Sequence, residues 1–594
     1  MTLRRQTRFS LIPAVFGVVA LSSVVGLAQD RPAPTTDVAA TARSISTDRP
    51  TDNYSPSTTS RIGVQTASPL PMSLDEAIKR ALANNNDIEV SRTDVRIADT
   101  TVRGLRGLYD PVFTFQPTFS HSSSTGQQGT NDVRLNGNIN QRIKPGGGTI
   151  QGFFNNTRTE NAFAQAQVTS GGLSSSSSAI YSSQLGFNFT QPLLRNFGID
   201  STRRQIKIAK KQLQQSDSDF QLQATNTITS VQQAYWDLVL ALRNQQNQKA
   251  NVELARENLR QITAKIDAGA AAPLEKAEVE TELANREGDL LLATQQVSVS
   301  ENTLKKLVIR DALAPEWAQA IVPTDSPKVV PLPSDLNAAI NDAFDNRFEL
   351  RRLKLQREIN DLDVRFFKNQ AKPQIDLSTT FSLDGIARGN VSTANSLIPQ
   401  FTGNDEILRQ KLNTLFAPGS QLPNPLLTVP GSPPYFVGGF NRSMGNMFRS
   451  DAPNYSIGVT FSFPFFNRTA KANLAGAKIT GERIAAQTRA QEETVLTDVR
   501  NAVQAVETAR LRVDTARRAR QSAETQLAGE RKLYDAGRST TFLLFQRENA
   551  LLAAQNAEIR AETDYAKAVA DRERTTATSF REHNITIDRP VDIK

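Results

Sequence analysis

The sequence contains an internal repeat, and this repeat limits its possible folds more than any other feature. Five positions recur at one constant offset, with Leu74, Ala77, Ile78, Ala81 and Asn84 matching Leu336, Ala339, Ile340, Ala343 and Asn346. Later positions recur at slightly larger offsets, including Gly186, Phe189 and Pro192 with Gly458, Phe461 and Pro464. Each half reads as helix, strand, strand, helix, helix. Such a duplicated unit predicts a symmetric wall built around an axis.

The first thirty residues have the pattern of an export signal. A basic start with Arg4, Arg5 and Arg8 precedes an apolar stretch over 11–25 and a small-residue cleavage site at 26–28. A membrane anchor is the competing interpretation, but about fifteen apolar residues are too few to span a bilayer comfortably. We therefore predict a signal peptide over 1–28 and a disordered, Thr/Ser/Pro-rich linker over 29–71.

Four later segments alternate apolar and polar residues, at about 111–120, 183–191, 374–384 and 455–464. Period two places the two kinds of residue on opposite faces of a strand. A half-buried sheet in a water-soluble protein gives the same alternation. The export signal, strand lengths near the roughly 9–11 residues that cross a bilayer, and polar faces rich in Ser, Thr and Asn favour membrane strands around a water-filled lumen.

The mature sequence has no run of eighteen apolar residues, so any membrane-embedded part must consist of strands. The apolar residues of the alternating segments are predicted to face lipid, with Phe461 near the middle of the bilayer: Phe113, Phe115, Phe187, Phe189, Ile375, Leu377, Phe381, Ile457, Val459, Phe461 and Phe463. Four strands cannot close a barrel alone, which predicts an oligomer.

Three further segments separate the predicted strands. Residues 132–158 alternate around a Gly-rich turn, and this hairpin could add strands to the barrel or form an outer loop. The Ser-rich run 174–178 and the Pro/Gly-rich segment from about 385 to 453 predict long outward-facing loops.

The remaining chain predicts helices of unusual length. Two stretches lack proline, from about 200 to 268 and from about 467 to 536, which gives rods on the order of 100 Å. Shorter helices are predicted over 74–109, 273–307, 336–371 and 540–574. Two short helices end to end equal one long helix, which predicts a wall in which each long helix lies beside a stacked pair.

The repeats are therefore predicted at 72–309 and 334–576, joined by a Pro-rich crossover at 310–333 and followed by a C-terminal tail at 577–594. Within each repeat the long helix reverses into a short one at the same tripeptide. These two tips are Asp267, Ala268 and Gly269 in the first half, and Asp535, Ala536 and Gly537 in the second. Glycine at such a position can end a helix in the left-handed conformation.

Composition excludes several classes of function. The chain has no cysteine and two histidines, which removes disulfides, thiol nucleophiles and a lipidated N-terminal cysteine. We find no set of nucleophile, base or metal ligands, and therefore predict no catalytic, cofactor-binding or metal site and no enzyme activity. The net charge of +9 is not gathered into a Lys/Arg run, which argues against nucleic-acid binding.

Taken together, the sequence resembles the TolC-like outer-membrane efflux factors. The resemblance rests on the opening Ser73-Leu74-Asp75-Glu76-Ala77-Ile78, on Gln191-Pro192-Leu193-Leu194 closing a strand, and on the repeated tip glycines. It implies a mixed α and β membrane protein. In that fold, three copies of the duplicated unit form one outer-membrane β-barrel continued by a long periplasmic α-helical barrel.

The resemblance also implies function and partners. Members are passive ducts of tripartite efflux or type I secretion systems, and they dock to a periplasmic adaptor and an inner-membrane transporter. The two tips, together with Arg538, are the candidate docking positions, and the alternative is that Gly269 and Gly537 only end their helices. In some members acidic residues ring the closed end of the tunnel, but the corresponding positions here are Leu543 and Gln546. An exported coiled-coil structural or adhesive protein is the alternative, and the four strands argue against it.

Overall fold

The computed structural model describes residues 61, 63–125, 129–160, 179–269, 272–329, 335–389, 391, 393–449 and 451–586. The predicted signal peptide, most of the predicted linker, the Ser-rich run at 174–178 and the end of the crossover at 330–333 lie outside these residues. No helix within them is long and apolar enough to cross a membrane.

The elements follow the order expected from the repeat, with additions in both halves. The first half contains β1 (Gln65–Met72), α1 (Leu74–Asn84), α2 (Asn86–Arg106), β2 (Val112–Ser122), β3 (Thr130–Arg142), β4 (Thr149–Glu160), β5 (Ala179–Pro192), α3 (Ser201–Asp267) and α4 (Pro273–Val308). The second half contains β6 (Gln319–Pro323), α5 (Leu336–Asn346), α6 (Phe348–Gln370), β7 (Gln374–Arg388), β8 (Ser396–Pro399), α7 (Asn404–Asn413), β9 (Leu426–Val429), α8 (Phe440–Met447), β10 (Pro453–Ser462), α9 (Arg468–Asp535), α10 (Thr541–Thr575) and α11 (Ser579–Glu582).

The two long helices organise the helical part of the molecule. Helix α3 has 67 residues and α9 has 68, so each is about 100 Å long. Helix α3 packs against α2 and α4, and α9 packs against α6 and α10. This confirms the prediction that each long helix lies beside a stacked pair of short ones.

The predicted helix 74–109 is not continuous, because Asn85 interrupts it. Asn85 is extended, with φ −66° and ψ 126°, and its side-chain oxygen accepts hydrogen bonds from the Asp87 and Ile88 N–H groups at 2.9 and 3.3 Å. Its amide nitrogen donates to the Leu307 carbonyl at 3.3 Å. One side chain thus caps α2 and ties it to α4, so the tertiary contact outweighs the helical periodicity.

The matching helix 336–371 is also interrupted, at Arg347. This residue is extended and buried, and its guanidinium donates to Asp498 of α9 at 3.4 Å and to the Thr575 carbonyl of α10 at 3.2 Å. The break therefore recurs in both repeats, although different chemistry holds it in each.

The predicted linker does not extend to residue 71, because 65–72 form strand β1. This strand pairs in parallel with β6 of the Pro-rich crossover, with Leu70 opposite Ile321 and Met72 opposite Pro323. Met72 and Ile321 are buried in the core beneath. Neither segment alternates in sequence, so the partner strand and the core decide this structure.

Tyr235 of α3 fastens this two-stranded sheet to the helices. Its side chain is fully buried, and its hydroxyl lies 3.1 Å from both the Met72 carbonyl and the Asp325 carboxylate. The same carboxylate accepts a hydrogen bond from the Leu74 N–H at 2.7 Å, at the start of α1. Burial raises the pKa of Tyr235 to about 12, so the hydroxyl stays protonated and can donate.

The segment predicted as a loop from about 385 to 453 contains regular structure. Strand β7 continues to Arg388, β8 pairs antiparallel with β9, and α8 packs on β5 and β7. At Gly385 an added Cβ would lie 2.1 Å from the Ser443 carbonyl oxygen, so only glycine allows α8 to approach this closely.

The C-terminal tail folds back onto the middle of the helical region. His583 Nε2 lies 3.3 Å from Glu573 of α10, and His583 Nδ1 lies 3.4 Å from Asp75 of α1. Hydrogen bonding to Glu573 raises the pKa of the His583 imidazole above its usual value. Its charged form therefore helps to hold the tail against both repeats.

This contact should make the docking of the tail depend on pH. Because the folded pKa is raised, the stabilisation is complete below about pH 6.5 and is lost as the pH rises through the folded pKa. Amide hydrogen exchange of residues 579–586 should speed up with increasing pH by more than the intrinsic exchange rate does. In the variant His583→Gln, exchange should accelerate with pH only as much as the intrinsic rate does. If the additional acceleration persists in this variant, a group other than His583 causes it.

Candidate functional site

Within the described residues, six strands form one antiparallel sheet in the order β10, β7, β5, β4, β3, β2. The registers run along each pair without a shift, so directly opposed residues share a face of the sheet. One such row across the sheet contains Phe113, Ile139, Gly152, Phe187, Phe381 and Tyr455. The neighbouring row, on the opposite face, contains Thr114, Asn138, Phe153, Gly186, Ser382 and Asn454.

The strand residues predicted to face lipid lie on the apolar face. Ten of the eleven share it by register: Phe113, Phe115, Phe187, Phe189, Ile375, Leu377, Phe381, Ile457, Val459 and Phe461. Many are exposed, with Ile457 at 73% and Phe113 at 67%. An exposed apolar patch of this extent marks an interaction surface. Contact of this face with lipid remains a prediction.

The eleventh residue, Phe463, lies beyond the strand, because β10 ends at Ser462 and Pro464 cannot donate to a ladder. Phe461 is next to the last residue of β10. Its place near the middle of the bilayer stays a prediction. Ring contacts at 5.5 Å join Phe461 to Phe463 and Phe463 to Phe465, where the strand leads into α9. Exposed aromatic residues at a strand end are typical of the girdles that border a bilayer.

Ile457 lies in the middle of β10, so a substitution here tests which face of the sheet contacts lipid. Ile457→Arg should cost about 2–4 kcal/mol of stability in lipid vesicles, because the charge would enter hydrocarbon. Ser456→Arg is the matched control on the polar face and should be tolerated. Denaturant titration of the protein refolded into vesicles measures both, and equal losses would show that the assignment of faces is wrong.

The second tip is a well-defined helix end. Helix α9 ends at Asp535, and Gly537 adopts φ +69°. The Gly537 N–H donates to the Tyr534 carbonyl at 3.0 Å and the Arg538 N–H donates to the Leu533 carbonyl at 2.8 Å. This pair of bonds is the Schellman motif, and a residue with a Cβ is strained at its left-handed position.

The first tip also has a glycine in the left-handed conformation, and the structure brings the two tips together. Helix α3 ends at Asp267, and Gly269 adopts φ +72°. Lys265 Nζ lies 3.4 Å from the Tyr534 hydroxyl and 4.6 Å from the centre of its ring. All seven predicted tip residues are exposed: Asp267, Ala268, Gly269, Asp535, Ala536, Gly537 and Arg538. Their side chains are therefore available to a partner.

The two positions at which the resemblance led us to look for acidic residues are also exposed. Leu543 and Gln546 lie on α10 just beyond the second tip. Gln546 lines a groove between α4 and α10 together with Glu278, Thr281, Glu282, Phe542, Phe545 and Asn549. The groove carries carboxylates on α4, opposite the positions expected from the resemblance.

A buried ion pair near the tips was not predicted from the sequence. Arg286 of α4 and Glu548 of α10 are both almost fully buried, with Nη2 and Oε2 3.3 Å apart. Arg286 Nε also contacts Glu282 at 2.9 Å. Burial raises the pKa of the Glu548 carboxyl, and Arg286 opposes this effect. No local pattern links residues so far apart in sequence, so only the packing of α4 on α10 identifies the pair.

Removing one member of this pair should destabilise the helical region. Arg286→Ala leaves the Glu548 carboxylate buried without its cation, at a cost of about 3–5 kcal/mol. Replacing both residues with apolar ones of similar volume, Arg286→Met with Glu548→Leu, should cost much less. Chemical denaturation followed by helical circular dichroism measures the difference, and equal losses in the single and double variants would contradict a coupled pair.

The described residues contain no group of three or more His, Cys, Asp or Glu side chains placed to hold a metal ion. The candidate functional surfaces are the apolar face of the sheet and the exposed tips.

Comparison with known proteins identifies the family. A sequence profile of the outer membrane efflux proteins matches residues 77–308 and 435–571, more than half of the chain. The chain belongs to this family. The predicted resemblance is thereby confirmed, as is the location of this efflux protein in the outer membrane with a periplasmic helical extension. The family consists of channels rather than enzymes.

Solved structures of similar fold are also outer-membrane proteins. The outer-membrane channel OprN is 16% identical with a TM-score of 0.55, over 86% of this chain and 90% of that one. The CmeC channel of Campylobacter jejuni is 16% identical with a TM-score of 0.56, over 87% and 90%. VceC of Vibrio cholerae is 14% identical with a TM-score of 0.55, over 85% and 95%. Likeness at this identity shows the fold alone, and no match is found among curated proteins.

Proposed function

We propose that this efflux protein is a passive duct of a tripartite efflux or type I secretion system. Three copies would close one β-barrel in the outer membrane, and their helices would continue it as an α-helical barrel through the periplasm. Cargo would pass from an inner-membrane transporter and a periplasmic adaptor to the outside. The duct itself needs no catalytic group or cofactor.

The observation that supports the proposal most directly concerns the two sides of the protomer. On each side, both the sheet and the helices expose a surface that another copy could cover. Strands β2 and β10 each pair with one strand only within the described chain. Helix α2 leads into β2 and exposes Val90 and Ile97, and α9 follows β10 and exposes Ile479 and Leu511. Each side thus combines an open strand edge with apolar helix residues.

Association of identical copies would pair the open strand edges and cover the exposed apolar helix residues at the same time. Unpaired backbone groups of an open sheet are not tolerated in hydrocarbon, so the β2 edge of one copy would pair with the β10 edge of the next. The exposed residues of α2 and α9 would then pack against each other below the sheet. A ring of three copies is the arrangement that the family resemblance implies.

The exposed tips support docking to a periplasmic partner. They lie at the ends of the long helices remote from the sheet, where an adaptor joined to an inner-membrane transporter would meet the duct. Asp267, Asp535 and Arg538 supply charges of both signs at this end. A coiled-coil surface protein, the alternative function, would have no use for the apolar sheet.

The proposal predicts a membrane-embedded, heat-modifiable oligomer. Outer-membrane fractions run on a gel without boiling should show a band at the mass of three copies, which boiling converts to the monomer. Reconstitution into planar bilayers should give discrete conductance steps. A mature protein that is soluble and monomeric would contradict the proposal.

Docking at the tips is tested by Gly537→Glu. The variant should still form the inserted trimer but should lose export, because a charge would enter the contact with the adaptor. Gly537→Ala is the matched control, since it carries a similar left-handed strain of roughly 1 kcal/mol without the charge. Cells that export normally with the Glu variant would restrict Gly537 to its structural role.

A further inference from the structure

The hairpin β3–β4 breaks the internal repeat at the sheet. In the second half, β7 and β10 pair directly with each other, whereas in the first half β3 and β4 separate β2 from β5. The repeat alone predicts four strands from each copy, but the part of the chain that the structure describes places six in the sheet. The extra pair therefore changes the wall of the barrel.

The hairpin is as regular as the strands around it. Strand β3 has 13 residues and β4 has 12, which exceeds the roughly 9–11 residues that cross a bilayer. Ladder pairing runs continuously from Val112 opposite Asn140 to Ser122 opposite Thr130, and β4 pairs with β5 over its whole length. A loop hairpin lying against the sheet would not share these ladders.

The hairpin also continues the two faces of the sheet. Val133, Leu135, Ile139, Ile150 and Phe154 share the face of Phe113 and Phe187. The opposite face carries Asn136, Asn138, Gln151 and Asn155. Every strand from β10 to β2 thus places apolar residues on this face, which also holds Asn156 and Arg158 of β4. Strands that contact lipid on one side and water on the other are expected to show such a division of faces.

The turn of the hairpin is seated on the junction between sheet and helices. The Gln191 amide donates to the Gly146 carbonyl at 2.9 Å, and the Arg142 guanidinium donates to Thr202 of α3 at 2.7 Å. At Gly147, with φ +69°, an added Cβ would lie 2.8 Å from the Asn196 carbonyl oxygen. Only a glycine fits here, so the turn is built into the base of the wall.

The hairpin also matches the width of the helical layer. The helices lie in the order α9, α6, α3, α2, beneath β10, β7, β5 and β2, with β4 and β3 filling the space between the last two. Four neighbouring helices with axes about 10 Å apart form a layer roughly 30 Å wide between the outer axes. Six strands spaced about 4.8 Å apart and tilted by about 40° form a sheet of nearly the same width.

We propose that β3 and β4 are wall strands, so that the trimer closes as a barrel of eighteen strands, six from each copy. With strands about 4.8 Å apart and tilted by about 40°, the backbone cylinder is about 36 Å across, against about 24 Å for twelve strands. The cross-section of the outer-membrane exit is then roughly twice as large, which suits bulkier solutes. This inference rests on the trimer of the proposed function.

Single-cysteine labelling tests the inference, because the chain has no cysteine of its own. Ile139→Cys and Asn138→Cys place a fluorophore on the two faces of β3, and Ile457→Cys and Ser456→Cys do the same on β10. In vesicles containing spin-labelled lipid, the fluorophores at positions 139 and 457 should lose most of their fluorescence. The fluorophores at positions 138 and 456 should keep it. Native mass spectrometry of the same samples counts the copies.

The outcomes separate the two proposals. Quenching at Ile457 without quenching at Ile139 would leave the duct intact but overturn the wall hairpin. Absence of quenching at both would overturn the duct itself. A number of copies other than three would overturn the count of eighteen strands.

The width of the exit gives a second measurement. A variant in which a short turn replaces residues 123–178 would join β2 directly to β5. In planar bilayers, polymers of graded size added from the outer side should enter the wild-type barrel up to a larger size than they enter this variant. An inserted variant with the same size limit would overturn the inference, and if the variant does not insert, the quenching result decides.

Discussion

The outer edges of β2 and β10 carry backbone N–H and C=O groups that no strand of the described chain pairs. In water such edges are tolerated, but in hydrocarbon each unpaired group costs several kcal/mol. Under the proposed function, these open edges would prevent a single copy from entering a membrane. Self-association would then be a condition for insertion, and it would also cover the exposed apolar residues of α2 and α9.

The two repeats use the same elements in different surroundings. Helix α3 packs against α2, α4, α6 and α10, and long stretches of it are buried, including Tyr235 and Phe220. Helix α9 lies at one side of the protomer and buries far fewer of its residues. A sequence repeated twice thus yields one central rod and one flanking rod, and the flanking rod keeps the surface that a neighbouring copy would cover.

The tips combine a rigid backbone with an adaptable surface. Two glycines in the left-handed conformation reverse the chain, and the contact of Lys265 with Tyr534 joins the two reversals. Just above them, the buried pair of Arg286 and Glu548 links α4 to α10. A buried charge pair is weak evidence for net stability, but it specifies which helix faces meet, since a shift of one turn would separate the buried Glu548 carboxylate from Arg286.

The repeat, the long helices, the alternating strands and the reversals at Gly269 and Gly537 follow from the amino-acid sequence alone, because each depends on a local periodicity or on a single residue type. Tertiary contacts are needed to explain the breaks at Asn85 and Arg347, the strand β1 and the ion pair of Arg286 with Glu548. Each of these depends on a partner distant in sequence. The position of the hairpin β3–β4 also depends on distant partners. Its alternating sequence is compatible with wall strands and with an outer loop, and the ladder pairing with β2 and β5 distinguishes these two positions.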